Sequence, residues 1–187
     1  MDFPNINPSQ IWKYLICPER INYSTENLGP KITCFQNYDC YRNDFTFSNS
    51  RGLPIYVSLF IPMHPSTPAT NHSSLTLNCP CLIYCHSQSG NRIEGLFLQE
   101  FCIEHGIGLC LFDFSGCGKS GGDYVTLGWK EMDDLDQLVG ILTSNYRVTQ
   151  IVLWGRSMGA VTSIMFAERN SLFLTSMVGL LDTGLSV

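Results

Sequence analysis

The sequence predicts an α/β fold with a mostly parallel sheet and an antiparallel hairpin in front of it. Four short apolar runs alternate with three segments of helical periodicity between residues 81 and 181. This alternation is typical of βαβ crossovers, and continuous apolar runs indicate strands that are buried on both faces. Upstream, residues 41–47 and 54–61 alternate polar and apolar side chains on either side of a turn that ends at Gly52, which predicts the hairpin.

The predicted elements divide the chain into two parts. Residues 1–34 are polar and interrupted by prolines, so we expect an N-terminal extension with one short helix over 9–16. Residues 35–187 form the predicted domain, with a mobile surface loop at 62–80, where Pro, Ser and Thr are frequent. Within this domain we expect parallel strands at 81–85, 108–114, 151–154 and 175–181, and helices at 93–105, 127–145 and 158–168.

Length and composition exclude several classes of protein. The chain of 187 residues has the usual size of one domain, and its 44% hydrophobic and 14% charged residues exclude intrinsic disorder and a coiled coil. The net charge of −5 and the lack of a basic stripe argue against nucleic-acid binding. Neither a signal-like start nor an apolar run of about 20 residues is present, so we expect a cytoplasmic protein without a transmembrane segment.

Nine cysteines are scattered along the chain without a CxxC pair, and several fall on predicted strands. A buried thiol packs as a small hydrophobe, so we expect free structural cysteines and neither a disulfide framework nor a zinc site. We therefore predict no metal and no cofactor.

The sharpest local signal is the segment Gly155-Arg-Ser-Met-Gly159, which lies between an apolar strand and a predicted helix. Strand, turn and helix are the context of a G-x-S-x-G nucleophile elbow, in which a strained backbone lifts the serine hydroxyl out of the turn. Side chains two positions before and after the serine would collide, which explains both glycines. The start of the following helix provides N–H groups and a positive dipole end for an oxyanion.

A second match to the same pattern, Gly118-Lys-Ser-Gly-Gly122, shows that the pattern alone is weak. No strand ends at its first glycine and no apolar helix follows, so we interpret the segment as a turn. Its Gly-Lys-Ser start also resembles the end of a P-loop, but the glycine required five residues earlier is Asp113. A nucleotide-binding switch is therefore the weakest hypothesis for this chain.

Three motifs in a fixed order carry a resemblance to a known family. They are His86 with Gly90-Asn-Arg92, Asp113-Phe with the glycines up to Gly122, and Gly155-Arg-Ser-Met-Gly-Ala160. This order resembles the α/β-hydrolase family, and within it the serine aminopeptidase-like and depalmitoylase-like branch. The resemblance covers roughly residues 15–187 and implies an α/β-hydrolase fold that lacks its last strands and helices.

The resemblance implies roles for individual residues. Ser157 would be the nucleophile, Gly155 and Gly159 the elbow glycines, and the backbone N–H groups of Met158 and Gln88 the oxyanion hole.

Other polar residues have more than one interpretation. His86 and Arg92 would support the loop that carries Gln88, although His86 could also substitute for the missing base. Ser87 departs from the family, which usually has glycine after this histidine. Four acidic residues of the second predicted helix are expected to form its solvated face: Glu131, Asp133, Asp134 and Asp136.

The same resemblance exposes an absence. In this family the acid and the histidine follow the serine along the chain. No histidine follows Ser157 here, and Asp182 is the one acid after the last predicted strand. We therefore expect a C-terminally truncated hydrolase whose acid and histidine are missing from this chain, and which is inactive or severely impaired.

Two functional hypotheses stay open. The first is a serine hydrolase that cleaves ester, thioester or peptide bonds of a small-molecule or acylated substrate through an acyl-enzyme on Ser157. The second is a non-catalytic hydrolase-like fragment or binding module. In either case we expect the exposed edge of the last strand to invite self-association.

Overall fold

The computed structural model describes residues 11–64, 76–170 and 179–182. Its strands are β1 (Ile32–Cys34), β2 (Asp39–Ser48), β3 (Pro54–Met63), β4 (Cys81–Cys85), β5 (Gly108–Phe112), β6 (Ile151–Arg156) and β7 (Gly179–Asp182). Its α-helices are α1 (Ile11–Ile16), α2 (Gln99–Glu104), α3 (Trp129–Tyr146) and α4 (Met158–Arg169). Two 3-10 segments cover Thr25–Leu28 and Arg92–Leu98.

One sheet contains all the described strands, in the order β1-β2-β3-β5-β4-β6-β7. The strands β4, β5, β6 and β7 are parallel, whereas β1, β2 and β3 pair antiparallel with their neighbours. The predicted hairpin is the pair β2 and β3, and β3 joins it to the parallel part through β5. The predicted architecture, a mostly parallel sheet with an antiparallel hairpin in front of it, is confirmed, and β1 is an additional edge strand that the sequence does not predict.

Helices cover both faces of the sheet, because side chains along a strand alternate between its two faces. Ile83 of β4 packs in one cluster with Leu135 of α3 and with residues of α4. Its neighbour Leu82 points the other way and packs in a second cluster with Ile103 of α2. All five residues of β4 are buried, so this strand lies at the centre of a three-layer domain.

The predicted helix over 93–105 is wrong in its first half, where the chain forms a 3-10 helix. The buried residues there are Arg92, Gly95 and Leu98, which are spaced by three as a 3-10 helix requires. A Cβ atom on Gly95 would lie 2.6 Å from the side chain of Leu111. The glycine therefore allows this segment to pack directly on the sheet before α2 begins.

The predicted mobile loop at 62–80 lies partly outside the described residues. Its first two residues belong to β3, and near its end Leu77 is buried and donates its N–H to the carbonyl of Tyr146 at 2.7 Å. Residues 65–75 lie outside the described part, as do residues 9–10 of the first predicted helix and 171–178 before β7. The mobility of the loop stays a prediction.

The carboxyl ends of β5, β4 and β6 lie side by side at one edge of the sheet. The connection after β4 leads to α2 on one face, and the connection after β6 leads to α4 on the other. Such a divergence opens a crevice at the carboxyl edge, where ligands bind in α/β sheets. The three sequence motifs follow these three strands and therefore meet at this crevice.

Candidate active site

Ser157 lies at a sharp corner between β6 and α4. Its backbone has φ 51° and ψ −116°, a conformation that costs a residue with a side chain about 1–3 kcal/mol. The residue is exposed, and α4 begins at the next position, Met158. The motif thus has the strand, turn and helix around it that a nucleophile elbow requires.

The glycines on either side of Ser157 are required by close backbone contacts. A Cβ atom on Gly155 would lie 2.5 Å from backbone atoms of Ala160. A Cβ atom on Gly159 would lie 2.7 Å from the carbonyl oxygen of His86 and would overlap the carbonyl of Cys85. Backbone atoms cannot rotate away as a side chain can, so a larger residue at either position would separate α4 from β4 and β6.

His86, at the end of β4, is completely buried and uses both ring nitrogens. The N–H of Phe114 donates to Nε2 at 3.0 Å, so the ring proton is on Nδ1, which donates to the carbonyl of Ser87 at 2.7 Å. Burial lowers the pKa of this imidazole, which favours the neutral ring that these contacts need. His86 therefore orders the loop and is not available as a base for Ser157.

The peptide between Ser87 and Gln88 has a defined orientation. The carbonyl of Ser87 accepts hydrogen bonds from His86 and, at 2.9 Å, from the N–H of Gly90. In a trans peptide the carbonyl oxygen and the amide hydrogen point in opposite directions, so the N–H of Gln88 is directed away from both donors. Gln88 lines the same cavity as Ser157 and Met158, so the structure brings these three residues together.

Asp113, at the end of β5, connects the loop after β4 to the Gly-rich turn. Its Oδ1 accepts the N–H of Arg92 at 2.7 Å, and its Oδ2 accepts the N–H of Lys119 at 2.8 Å. The hydroxyl of Ser120 donates to its carbonyl oxygen at 2.6 Å. The amide of Lys119 thus already faces a carboxylate, which would repel a phosphate, and the segment forms a turn.

Arg92 is buried and takes part in the same network. Its Nε lies 3.9 Å from Oδ2 of Asp113 and donates to the hydroxyl of Tyr23 at 2.6 Å. That hydroxyl in turn donates to Asp113 at 2.5 Å. Burial and the charge of Asp113 raise the pKa of Tyr23, so the phenol stays protonated and keeps its donor role.

Residues 15–23, which we call the N-terminal strap, contact the loops of the crevice. The side chain of Gln88 donates to the carbonyl of Leu15. The guanidinium of Arg20 donates to three carbonyl oxygens of the Gly-rich turn, those of Gly118, Ser120 and Gly122. The strap thereby joins the loop after β4 to the turn after β5.

A cavity of about 470 Å³ opens beside Ser157. Apart from Gln88 and Ser157 its lining is apolar, from Leu127, Met158, Ala160, Val161 and Ile164. Leu127, Val161 and Ile164 are 42%, 45% and 51% exposed, so the cavity continues into an apolar surface. A hydrophobic lining next to one exposed hydroxyl suits a ligand with an apolar chain.

The predicted solvated face of α3 is wrong for Glu131, which is buried. Its carboxylate accepts the N–H of Thr126 and the N–H of Gly128, both at 2.9 Å, and the hydroxyl of Thr126 at 2.7 Å. Between these partners, Leu127 adopts a φ of 56°. Glu131 therefore holds the strained corner that carries one wall of the cavity.

The same prediction is wrong for Asp134, whose side chain is buried against the hairpin. Its Oδ1 accepts from Asn49 at 2.7 Å and from Arg51 at 2.8 Å, and its Oδ2 accepts the N–H of Ser115 at 3.0 Å. Burial raises the pKa of this carboxyl, and its hydrogen bonds and Arg51 oppose that shift. The other two acids of the predicted face are partly exposed and pair with Arg169: Asp133 and Asp136.

A model of the family described as serine aminopeptidase S33 matches residues 81–180. The match begins at β4, extends into β7 and includes all three motifs. The chain belongs to this family.

Relatives of this S33-family chain include proteins of known structure. It is 25% identical to the Pyrococcus furiosus esterase Pf2001, with a TM-score of 0.56 over 79% of this chain and 51% of that one. It shares its fold with the α/β-hydrolase GrgF from Penicillium, at 22% identity and a TM-score of 0.57, over 74% and 45% of the two chains. Against the uncharacterized protein YqkD of Bacillus subtilis it is 30% identical over 87 residues, which are 46% of this chain and 28% of that protein. The chain thus spans from about a quarter to about half of the length of these relatives.

Sequence reasoning missed several residues that support the site of this S33-family chain. Glu131 stands three positions after Gly128, the helix-capping spacing that should have identified it. Asp134 is three positions further, on the face of α3 that carries the buried Leu135 and Leu138. Tyr23 has no comparable signal, because its partners are far away in the sequence.

The described residues also bear on metal binding, on membrane spans and on the state of the cysteines. Within residues 11–64, 76–170 and 179–182, no group of three or more metal-binding side chains comes together, and no helix is long and apolar enough to cross a bilayer. The nine cysteines are free. Burial raises the pKa of Cys85 and of Cys117 to about 12, so these thiols are poor nucleophiles.

Proposed function

We propose that this chain carries the nucleophile of a serine hydrolase that cleaves ester, thioester or peptide acyl bonds, with Ser157 as the attacking residue. The observation that carries the proposal is an exposed serine at positive φ, between a strand and a helix N-terminus, on the wall of an apolar cavity. Strain of this kind persists where the surrounding structure imposes it, and it is common at active sites.

The chemistry follows from the positions of the backbone groups. The Ser157 oxygen bonds to the acyl carbon and loses its proton, and the carbonyl oxygen becomes negative. The N–H of Met158, at the start of α4, has no partner within the helix and faces this charge together with the N–H of Gln88. The bond to the leaving group then breaks as that group takes a proton, and water later releases the acyl chain from Ser157.

The general base of this proposal is outside the described residues. His86 has both nitrogens engaged. His64 follows the end of β3 and His105 follows α2, so both lie at the opposite edge of the sheet from Ser157. We propose that the acid and the histidine act from a part of the protein that the structure does not describe.

The lining of the cavity supports an apolar acyl group as the part of the substrate that this chain binds. Leu127, Val161 and Ile164 offer methyl groups, and Gln88 and Ser157 are the polar residues of the lining. An acyl chain placed there would bring its carbonyl to the nucleophile and leave the alcohol, thiol or amine outside.

Covalent labelling with a fluorophosphonate tests the proposal. The probe is applied to the chain and to any longer product of the same gene, and labelled peptides are identified by mass spectrometry. We expect Ser157 to be labelled, the label to be lost in Ser157→Ala and to persist in Ser144→Ala, which alters an exposed serine of α3. Labelling of neither form, or labelling that survives in Ser157→Ala, would contradict a nucleophilic Ser157.

A second candidate is a non-catalytic binding module, which is favoured by the engagement of both His86 nitrogens in hydrogen bonds of the loop. This candidate predicts that butyrate esters bind in the cavity without being hydrolysed. Equal affinity in the native chain and in Ser157→Ala, with no product from either form, would support it.

A further inference from the structure

Glu94 lies in the first turn of the 3-10 segment that follows the loop after β4. Its side chain is 17% exposed, and its carboxylate faces three polar residues. Oε1 accepts the hydroxyl of Tyr84 at 2.9 Å, and Oε2 accepts the hydroxyl of Ser87 at 2.8 Å. The guanidinium of Arg156 lies 3.4 Å from Oε1.

Two partners of Glu94 are sequence neighbours of residues in the proposed active site. Ser87 directly precedes Gln88, and Arg156 directly precedes Ser157. The backbone N–H of Ser87 also lies 3.4 Å from both carboxylate oxygens. One carboxylate therefore contacts the loop and the elbow at the residues next to the two groups that the proposed chemistry brings together.

The carboxylate of Glu94 also restricts the loop at Gly90, by steric contact. A Cβ atom on Gly90 would overlap Oε2 of Glu94 and would lie 3.0 Å from the hydroxyl oxygen of Ser87. Gly90 is also the residue whose N–H holds the Ser87 carbonyl. The Ser87–Gln88 peptide is thus fixed by His86 and Gly90 at its oxygen and by Glu94 at the preceding side chain.

We propose that Glu94 is a positioning residue that fixes the N–H of Gln88 relative to the Ser157 elbow, with Ser87 as its anchor. The inference rests on the proposed function, because it assigns Glu94 to the oxyanion hole of that reaction. It also gives a physical reason for Ser87, which stands where the resembled family usually has glycine. The serine hydroxyl supplies a donor that glycine lacks, and the carboxylate of Glu94 receives it.

A purely structural role is the alternative, because an acidic residue in the first turn of a helical segment stabilises that turn. The two roles differ in what they change. Loss of helix stability lowers the amount of folded protein, whereas a displaced oxyanion donor lowers the rate of acyl transfer in protein that is fully folded. The test therefore needs a kinetic readout and a structural one.

The kinetic test compares Glu94→Gln, Ser87→Ala and the double variant in the form of the protein in which Ser157 reacts, with p-nitrophenyl butyrate as the substrate. Removal of one oxyanion donor typically costs about 100–1000-fold in kcat, so displacement of that donor is expected to cost about 10–100-fold. We expect KM to change less than about twofold, because the apolar lining from Leu127, Val161 and Ile164 is untouched. The double variant is expected to be no slower than the slower single variant, since Ser87→Ala removes a contact that Glu94→Gln already weakens.

The matched control is Glu104→Gln. Glu104 also binds loop amides, the N–H groups of Gln36 and Asn37, but it does so at the end of α2. We expect this variant to keep the native kcat and KM. An equal loss of kcat in Glu104→Gln and Glu94→Gln would overturn the proposal, as would native kcat in Glu94→Gln.

The structural test is amide hydrogen exchange of the chain itself, which needs no turnover. Glu94→Gln is expected to raise exchange in the peptide that spans residues 87–91 by about tenfold, and to leave exchange in α3 unchanged. If Ser157 proves unreactive, the proposed function fails, and the exchange measurement still decides whether Glu94 fixes the loop. Unchanged exchange at residues 87–91 would overturn the positioning role whether or not the protein is an enzyme.

Discussion

The elbow at Ser157 and the loop after β4 meet at one site but are held in place by different forces. The elbow depends on steric contact between backbone atoms, with glycines at 155 and 159 that leave no space for a Cβ atom. The loop depends on hydrogen bonds to polar side chains, chiefly the buried His86 and Asp113 and the half-buried Glu94. The sequence signal for the elbow lies within residues 155–160, whereas the hydrogen bonds of the loop involve residues from Tyr23 to Arg156. The two regions should therefore respond differently to mutation.

The largest expected effect is that of Gly159→Ala. The new Cβ atom would meet the carbonyls of Cys85 and His86, which are fixed in and next to β4, so we expect the free energy of unfolding to fall by about 3 kcal/mol. Urea denaturation measures this change. The paired variant is Gly90→Ala in the loop, where the contact is with side-chain atoms of Glu94 and Ser87 that can shift further than backbone, and we expect a smaller loss of about 1 kcal/mol. Equal losses at the two positions would remove the contrast between the regions.

The next effect is that of Asp134→Ala, which deletes the buried acceptor between α3 and the hairpin. The donors of Asn49, Arg51 and Ser115 would lose their partner. Because the Arg51 side chain is 23% exposed and can reach water, we expect a loss of about 2 kcal/mol. Asp133→Ala, one position earlier on α3 and partly exposed, should change the free energy of unfolding by less than about 0.5 kcal/mol. A loss at Asp133 that matched the loss at Asp134 would show that burial is not the cause.

A smaller effect concerns the pH dependence of stability. Burial lowers the pKa of His86 below that of an unfolded histidine, about 6.5, so below that pH the unfolded chain binds a proton that the folded chain does not. The contribution of His86 to the free energy of unfolding is therefore fully present above about pH 6.5. It declines towards lower pH until the folded pKa is reached. We expect His86→Asn to reduce the decline in the free energy of unfolding between pH 6.5 and 5, because asparagine does not titrate.

The control for that measurement is His105→Gln, since His105 is exposed at the end of α2. Urea denaturation at several pH values should give the native slope for this variant. A native slope in His86→Asn would mean that another group is responsible for the acid sensitivity.

The smallest expected effect is an increase in the free energy of unfolding, whereas the preceding variants lower it or change its pH dependence. Gly140 lies inside α3, and a Cβ atom there would meet nothing within 4 Å. Gly140→Ala should therefore stabilise the chain by about 0.5–1 kcal/mol, through the higher helix propensity of alanine. A higher midpoint in urea would confirm it, and destabilisation would show that glycine at this position has a role that the contacts do not reveal.

The contrast between the two regions also explains what could be predicted from the sequence. β4 is predicted with its observed bounds and the Ser157 corner with its observed context, because apolar runs and flanking glycines act over a few residues. The side chains that hold the loop could not be paired in advance. Tyr23 reaches Arg92 and Asp113 across more than sixty positions, and no local pattern encodes such a contact. The 3-10 segment was predicted as an α-helix for a related reason. Over seven residues, buried positions spaced by three cannot be distinguished from those of an α-helix, whose period is 3.6.

The N-terminal strap limits where the chain can be shortened without loss of contacts at the candidate site. Arg20 contacts carbonyl groups about a hundred positions ahead of it in the chain, so a product that begins at residue 35 would keep the sheet from β2 to β7 and lose this cation. Three carbonyl oxygens of the Gly-rich turn would then lose the hydrogen bonds from Arg20 and would accept hydrogen bonds from water instead. We expect such damage to appear first as slower reaction of Ser157 with the fluorophosphonate, while circular dichroism still reports an intact α/β core.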